Sequence, residues 1–415
     1  MREEKMMILS MLEEGKITSE EAIKLLDALE SSEYNLLINA DKTEDKNSEY
    51  KNTDEKDEAK DEIKEGLRDY TRKIESFGTN LGNLISNIVN NIVDKTTFIS
   101  SDGLYETINK RIERDISDVE NPVINFESVN GSINVKPWNE NNISMNITCK
   151  YKGKEFSKDD VFYNFFEEGN KFRFIPVYKS HVMISLDVNL PSKYYKEITL
   201  KTTNGRIKIH DFHVGELVLE ASNGSITAGN ISSDKIDLLT QNGRILINDL
   251  SAPAITAKTS NASIAAENIK SRDLNISTMN GRISSTDIQS DYISGKTSNA
   301  SIEMENIISK KVRLKTSNGA ITCRDIDERN IEELNLSTSN SSINIALNNT
   351  DKVKYFDLET TLGSIFLEAP DLIYKVNKQA NTGTKKVIAY SENFDEQKEH
   401  LLIKASTSNG SIKII

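Results

Sequence analysis

The chain reads as mainly β: a single-stranded, right-handed parallel β-solenoid of 19-residue coils, preceded by a small helical hairpin and an amphipathic helix. A marker carries most of that reading. In its fullest form it is Thr or Ser, any residue, Asn, Gly or Ala, any residue, Ile. Its Asn falls at Asn204, Asn223, Asn242, Asn261, Asn280, Asn299 and Asn318, every step 19 residues. Apolar and polar residues alternate on both sides of the marker, the period-two pattern of strands with one buried face. Fixed periods near 20 with short alternating strands signal stacked coils that bury their apolar sides against one another.

The elements follow in order along the 415 residues, a length ample for a buried core. Residues 1–32 predict a helical hairpin. Met6, Met7, Leu9, Met11 and Leu12 give its first helix an apolar face, and Gly15 supplies a stop. Thr18 followed by Glu21 fits a capping box, after which Ala22, Ile23, Leu25, Leu26 and Leu29 recur at helical spacing. So small a unit buries little by itself, so it is expected to pack on itself, on another copy or on a partner.

Residues 33–62 form a charged linker. Over 41–65, eleven acidic and six basic residues leave Tyr50, Ala59 and Ile63 as the apolar ones, too few to offset the entropy of ordering. That stretch holds five of the twelve net negative charges, so much of the acidity is tail-like.

The pattern changes over 63–120. Ile63, Leu67, Tyr70, Ile74, Phe77, Leu81, Leu84 and Ile88 step by 4, 3, 4, 3, 4, 3, 4, which is a heptad seam. Three roles fit it: a cap over the end of the following domain, self-association, or a membrane-surface helix. The polar face is rich in Asn and mixed charge rather than Lys and Arg, which weighs against the third. Gly78 and Gly82 weaken it as an isolated helix.

Residues 121–415 are the solenoid. Val123 to Val135, Ile143 to Cys149 and Phe172 to Val177 read as strands leading into it. Phe156, Val161, Phe162, Phe165 and Phe166 form an aromatic insertion beside Trp138, either core, end cap or exposed contact patch. Each coil is expected to hold two short strands separated by an Asn-Gly corner, where positive φ favours both residues. About ten coils at ~4.8 Å each would make a rod near ~50 Å. The repeated Asn side chains would then bond one another as a ladder, a structural feature because it recurs in almost every coil.

A second regularity overlies the first. Two residues after the Asn the chain runs Arg206, Ser225, Arg244, Ser263, Arg282, Ser301, Ala320. Seven after it the chain runs Asp211, Asn230, Asp249, Asn268, Asp287, Asn306, Asp325, so the true unit spans 38 residues. Two readings stand for Arg206, Arg244, Arg282, Asp211, Asp249 and Asp287. A neutral coil between like charges relieves their repulsion, or the columns form a repetitive ligand face. Copies loosen after Asn318, with Asn340 and then Leu362 following at 22-residue steps, and Asn130 and Asn409 stand as outlying first and last copies. Residues 370–400 interrupt the repeat and predict a folded-back hairpin over the open end.

Chemistry-bearing constellations are weak. Asp211 and Asp249 would stand about 9–10 Å apart, the upper edge of an inverting carboxylate pair, but the spacing recurs at Asp287 and Asp325 and singles out no pair. His210 and His213 fall in a predicted turn without a partner cluster at ligand spacing, and His181 and His400 are isolated. Cys149 and Cys323 lie 174 positions apart and suggest neither a disulfide nor a metal cluster. No nucleophile elbow, phosphate loop or zinc signature occurs, so no enzyme activity, cofactor or metal is expected. A net charge of −12 argues against nucleic acid. There is no apolar run long enough to span a bilayer, and the start Met1-Arg2-Glu3-Glu4-Lys5 does not resemble a secretory signal.

Two resemblances add to this reading. Ile8 to Thr18, with Glu20-Glu21-Ala22 and Leu25 to Leu29, resembles the SHOCT-like helical module of bacterial proteins. Gly131 to Val135 with Trp138, Val188-Asn189-Leu190-Pro191 and the Asn-Gly coils look like the bacterial putative-adhesin β-solenoid family. Their order, with the intervening amphipathic helix, resembles LiaX/YvlB-type proteins of Gram-positive bacteria. The resemblance implies a non-enzymatic protein of the cell-envelope stress response, with members implicated in sensing antimicrobial peptides and restraining a membrane stress system. The expected partners are a protein or second copy at the N-terminal helices, and a cationic peptide or membrane-associated stress proteins. The expected place is the cytoplasm or the membrane periphery, with the cell surface as the alternative. Two other functions remain open, a carbohydrate-binding or carbohydrate-cleaving β-helix and an intracellular assembly scaffold.

Overall fold

A computed structural model describes residues 106–151, 161–177, 182–348, 350–378 and 383–415. The hairpin over 1–32, the linker over 33–62 and the seam from Ile63 to Ile88 lie outside the described residues, as do Phe156 and His181. Among the described residues every regular element is a strand, and no helix is long and apolar enough to cross a membrane.

Eight strands lead in: β1 (Glu106–Asp115), β2 (Val123–Glu127), β3 (Asn130–Trp138), β4 (Asn142–Tyr151), β5 (Tyr163–Glu168), β6 (Lys171–Pro176), β7 (Val182–Pro191) and β8 (Tyr194–Thr202). The regular stack is β9 (Ile207–Ala221), β10 (Ile226–Thr240), β11 (Ile245–Lys258), β12 (Ile264–Ser277), β13 (Ile283–Lys296) and β14 (Ile302–Lys315). A closing block follows: β15 (Ile321–Ile326), β16 (Glu333–Ser337), β17 (Ile343–Ile345), β18 (Lys354–Thr360), β19 (Ile365–Leu367), β20 (Leu372–Lys378), β21 (Lys385–Ser391), β22 (Leu401–Thr407) and β23 (Ile412–Ile414).

β9 to β14 pair in parallel and in strict 19-residue register, so Ile207, Ile226, Ile245, Ile264, Ile283 and Ile302 stack in one column. Each is at most 1% exposed, and a fully buried side chain of that size stabilises by about 1.5–3 kcal/mol. The alternation seen in the sequence is therefore the alternation of column and solvent face.

Each coil holds three paired segments rather than the two expected. In β10, residues 226–229, 231–233 and 235–240 pair with neighbouring strands, and Asn230 and Asp234 pair with neither β9 nor β11. The extra turn is made by small residues ten after the marker Asn. Ser233, Ser290 and Ser309 are buried, and each Oγ donates to a carbonyl of the preceding coil and to one two residues ahead.

The Asn-Gly corner also differs from its expected conformation. None of its residues from Asn204 to Asn318 has positive φ. The left-handed residues of these coils are instead Asp211, Asn230, Asp249, Asn268, Asp287, Asn306 and Asp325, with φ between 49° and 66°. Asp and Asn tolerate that region because their side chains bond locally. Glycine at the Asn-Gly corner answers to space instead. A Cβ on Gly243 would lie 1.8 Å from the carbonyl oxygen of Gly224 in the coil before.

The ends of the stack are built differently. At the N-terminal side β1 pairs with β4, β4 with β7, β7 with β3 and β3 with β9, while β5, β6, β2 and β8 lead to the other segment of β9. The outermost strand β1 carries Lys110, Arg111, Glu113, Arg114 and Asp115, charges that discourage further pairing. The aromatic insertion divides. Phe162 is buried and Phe165 packs against the core under the Arg114 guanidinium, whereas Val161 and Phe166 are exposed.

At the C-terminal side the stacking order departs from chain order. β22 lies between β16 and β18, and β23 between β17 and β19. Asn409, the last copy in the sequence, is thus not the last in the stack. The coil of Leu362 is outermost, and β20 and β21 fold back along β18 as an antiparallel hairpin.

Candidate functional site

Side chains that point outward from parallel, in-register strands form straight columns, so any site must be assembled across coils. The Asn column is continuous. Asn204 Nδ2 donates to Asn130 Oδ1, and each Asn from Asn223 to Asn340 donates to the Oδ1 of the copy before it at 2.5–2.7 Å. Asn409 then donates to Asn340 at 2.6 Å, and the ladder ends where Leu362, 71% exposed, stands in the Asn position.

A second ladder lies beneath it, from the Thr two residues before each Asn. Thr202, Thr240, Thr259, Thr278, Thr297, Thr316, Thr338, Thr360 and Thr407 are buried, and each Oγ1 donates to the carbonyl of the Gly, Ala or Ser at the neighbouring corner at 2.8–3.0 Å. Ala221 occupies this position in one coil, and the adjacent Ser222 hydroxyl is buried without a hydrogen bond. The hydroxyl in the marker is therefore a backbone tie, since an unpaired buried carbonyl is costly.

The Asp/Asn column is paired rather than continuous. Asn230 donates to Asp211 Oδ1 at 2.6 Å, and Asn268 and Asn306 donate likewise to Asp249 and Asp287. The bonds from Asn230 and His210 hold the Asp211 carboxyl below the usual carboxylate range. His210 and His213 lie within β9 rather than in a turn of their own. His210 bonds Asp211 at 2.5 Å and His213 packs edge-on to Tyr194.

Arg206, Arg244 and Arg282 form an exposed column beside the Asn-Gly corner. Arg206 Nε reaches Ser225 Oγ at 3.2 Å and Arg282 approaches Glu303 at 3.9 Å. An Arg and the Asp of its own coil are five residues apart along a strand, about 16 Å, and do not converge. The structure brings Asp to Asn, not Asp to Arg. Cys149 and Cys323 are free and buried, and burial pushes their thiols up to about 11 and about 12. Among the described residues no group of three metal-ligating side chains assembles.

Among the described residues a concave feature lies on the outward face before the Asn-Gly corner. A groove of about 360 Å³ crosses β12, β13, β14 and β16, at the small end of ligand-sized sites. Tyr292, 47% exposed, stands in register with Lys311, Glu333, Leu402, Tyr355 and Tyr390 across β13, β14, β16, β22, β18 and β21. At its far end Tyr355, Tyr390 and Phe394 cluster with ring centroids 5.1–6.4 Å apart. The sequence reading missed this row. Tyr292 sits seven residues before Asn299, a readable signal, but its alignment with Tyr355 depends on the insertion of β22 between β16 and β18.

The Toastrack DUF4097 family matches residues 121–265 and 251–415, and a SHOCT-like domain family matches residues 3–34. Two solved structures are similar to the chain. One is a putative cell adhesion protein from Clostridium sporogenes, at 10% identity, covering 74% of this chain and 99% of that one, with a TM-score of 0.18. The other is a putative adhesin from Parabacteroides merdae, at 14% identity, covering 55% of this chain and 96% of that one, with a TM-score of 0.26. No curated protein matches.

Proposed function

The chain belongs to the Toastrack DUF4097 family, and on that premise we propose that it is a non-enzymatic binding scaffold of the bacterial cell-envelope stress response. The observation that supports binding over catalysis is the repetition of its exposed chemistry. Carboxylates recur at Asp211, Asp249 and Asp287, each bonded by an Asn of the next coil, so none is set apart as a unique acid or base. Long columns at one strand spacing suit an extended ligand.

The stress-response role rests on the order of parts: a SHOCT-like module at residues 3–34, the amphipathic seam, then the solenoid, the order of LiaX/YvlB-type proteins. In this reading the N-terminal module and seam recruit a protein partner or a second copy. The protein works in the cytoplasm at the membrane periphery, and its net charge of −12 favours cationic peptides with a strong dependence on salt.

Fractionation of cells with and without a membrane-active cationic peptide tests this. Movement of the protein from cytosol to membrane on challenge is the expected result. A distribution unchanged by the peptide would overturn the stress-response role.

A further inference from the structure

We infer that the groove beside Tyr292 binds a neutral, extended pyranose glycan. This deepens the binding reading by naming a ligand class, and it does not depend on the stress-response role. Tyr292, 47% exposed, stands on a sheet face, an apolar plate with a polar tip that a sugar ring can stack upon. Ser294, two residues on and outward-facing, is short enough to leave the floor beside that ring open.

The rim decides the charge of the ligand. Asp273 and Glu333 bring two negative charges, and Lys311 and Arg313 two positive ones, so the formal sum is zero. A cationic peptide would meet Lys311 and Arg313, and a phosphate would meet Asp273 and Glu333. Each ligand pays a like-charge penalty that a neutral one avoids. Sugar hydroxyls both donate and accept, as serine hydroxyls do. They are matched by a rim in which Glu333 accepts, the Asp273 carboxylate accepts beside its 2.8 Å bond from Arg272 Nε, Arg313 donates and Asn275 does both.

Length follows from register. Tyr355 lies four strand spacings from Tyr292, about 19 Å, with its ring stacked on Tyr390. A linear oligosaccharide laid along the stack axis would reach from one aromatic platform to the other, meeting a new strand with nearly every sugar. The site is shallow, so single contacts are weak and chain length supplies the avidity.

Saturation-transfer NMR on the full chain with cellohexaose and chitohexaose tests the inference, with thermal melting to confirm that each variant folds. Transfer to sugar C–H protons is expected, with affinity lost at least tenfold in Tyr292→Ala and kept in Tyr292→Phe. Arg313→Ala, on the next strand, is an independent variant should Tyr292→Ala fail to fold. Absence of transfer from both hexaoses, or transfer that survives both alanine substitutions, would overturn it. So would hexalysine occupying the groove in preference to either hexaose. Because purified protein is used, failure here leaves the cell-fractionation result untouched.

Discussion

The coils of Asn204 to Asn318 and those after Asn318 use the same marker but hold together by different means. In the first region the coils repeat as alternating two-coil units in one 19-residue register, and stability is a sum of like terms. In the second, the coil of Asn409 is threaded between those of Asn340 and Leu362, and the loops that permit this carry a buried ion pair. Glu328 is 0% exposed and meets Lys354 Nζ at 2.9 Å, while Asn348 N and Thr350 Oγ1 donate to the same carboxylate at 2.5 and 2.7 Å. Lys354 Nζ also donates to the carbonyl of Thr350 at 2.8 Å. The ion pairs of the regular stack, such as Lys235–Glu216 and Arg282–Glu303, stay at the surface.

The sharpest contrast comes from deletion. Removing Gly243–Asn280, one 38-residue unit, joins Asn242 to Gly281 with the marker intact, and the shortened stack should still melt cooperatively. Removing Leu401–Ile415 is expected to be far worse. It withdraws Leu401, Ile403, Ile412 and Ile414, all buried, at a cost of about 6 kcal/mol or more, and leaves β18 without its parallel partner. Limited proteolysis should cut the second variant within 320–400. Equal resistance of the two would remove the distinction between the regions.

Breaking the ion pair comes next. Glu328→Gln leaves Lys354 buried and unpaired and should cost about 3 kcal/mol or more in denaturant unfolding, whereas Glu328→Gln with Lys354→Met should recover much of that loss. Burial alone would raise the Glu328 carboxyl. Hydrogen bonds from Thr350 and Lys354, the Lys354 charge and the Asn348 amide outweigh it and hold the group below its ordinary value of 4.5. A carboxyl depressed in the folded state contributes stability that is present above its unfolded pKa and lost as pH falls through the folded one. The wild type should therefore lose stability below about pH 4.5 more steeply than Glu328→Gln, with the C-terminal block leading.

Within the regular stack the corners differ in what they tolerate. Gly281→Ala places a methyl 1.7 Å from the carbonyl oxygen of Ala262 and should cost about 1–3 kcal/mol through forced backbone shifts. Ala262→Gly, at the matching place one coil earlier, should cost only about 0.5–1 kcal/mol through added chain entropy. A reversed order would show that the stack, not the corner, absorbs the strain. Smallest of all should be Asn268→Asp. It replaces the donor to Asp249 with a like charge, a loss of a few tenths of a kcal/mol that added salt should recover.

Much of this was legible along the chain. Period 19, the inward columns and the Asn ladder follow from a repeat in which a residue and its copy must stack, so position in the sequence is position in space. The hairpin over 370–400 could be read because the repeat stops there. Two local details were misassigned for one reason. Asn-Gly carries the stronger left-handed propensity, yet φ turns positive at Asp211 and its equivalents, while glycine at the corner answers to a backbone one coil away. Propensity describes a residue with its chain neighbours, and this corner is fixed by a neighbour 19 residues distant.

The sequence by itself determined the 19-residue period, the register, and which residues face inward from Asn204 to Asn318, because there each contact repeats a fixed sequence separation. The tertiary structure alone decided that Leu362, not Asn409, ends the stack, that Glu328 and Lys354 meet in the interior, and that Tyr292 shares a row with Tyr355. The contacts that carry them span 26, 47 and 69 residues, at irregular intervals. The insertion of β22 gives it two parallel partners, β16 and β18, where a place at the end of the stack would give one.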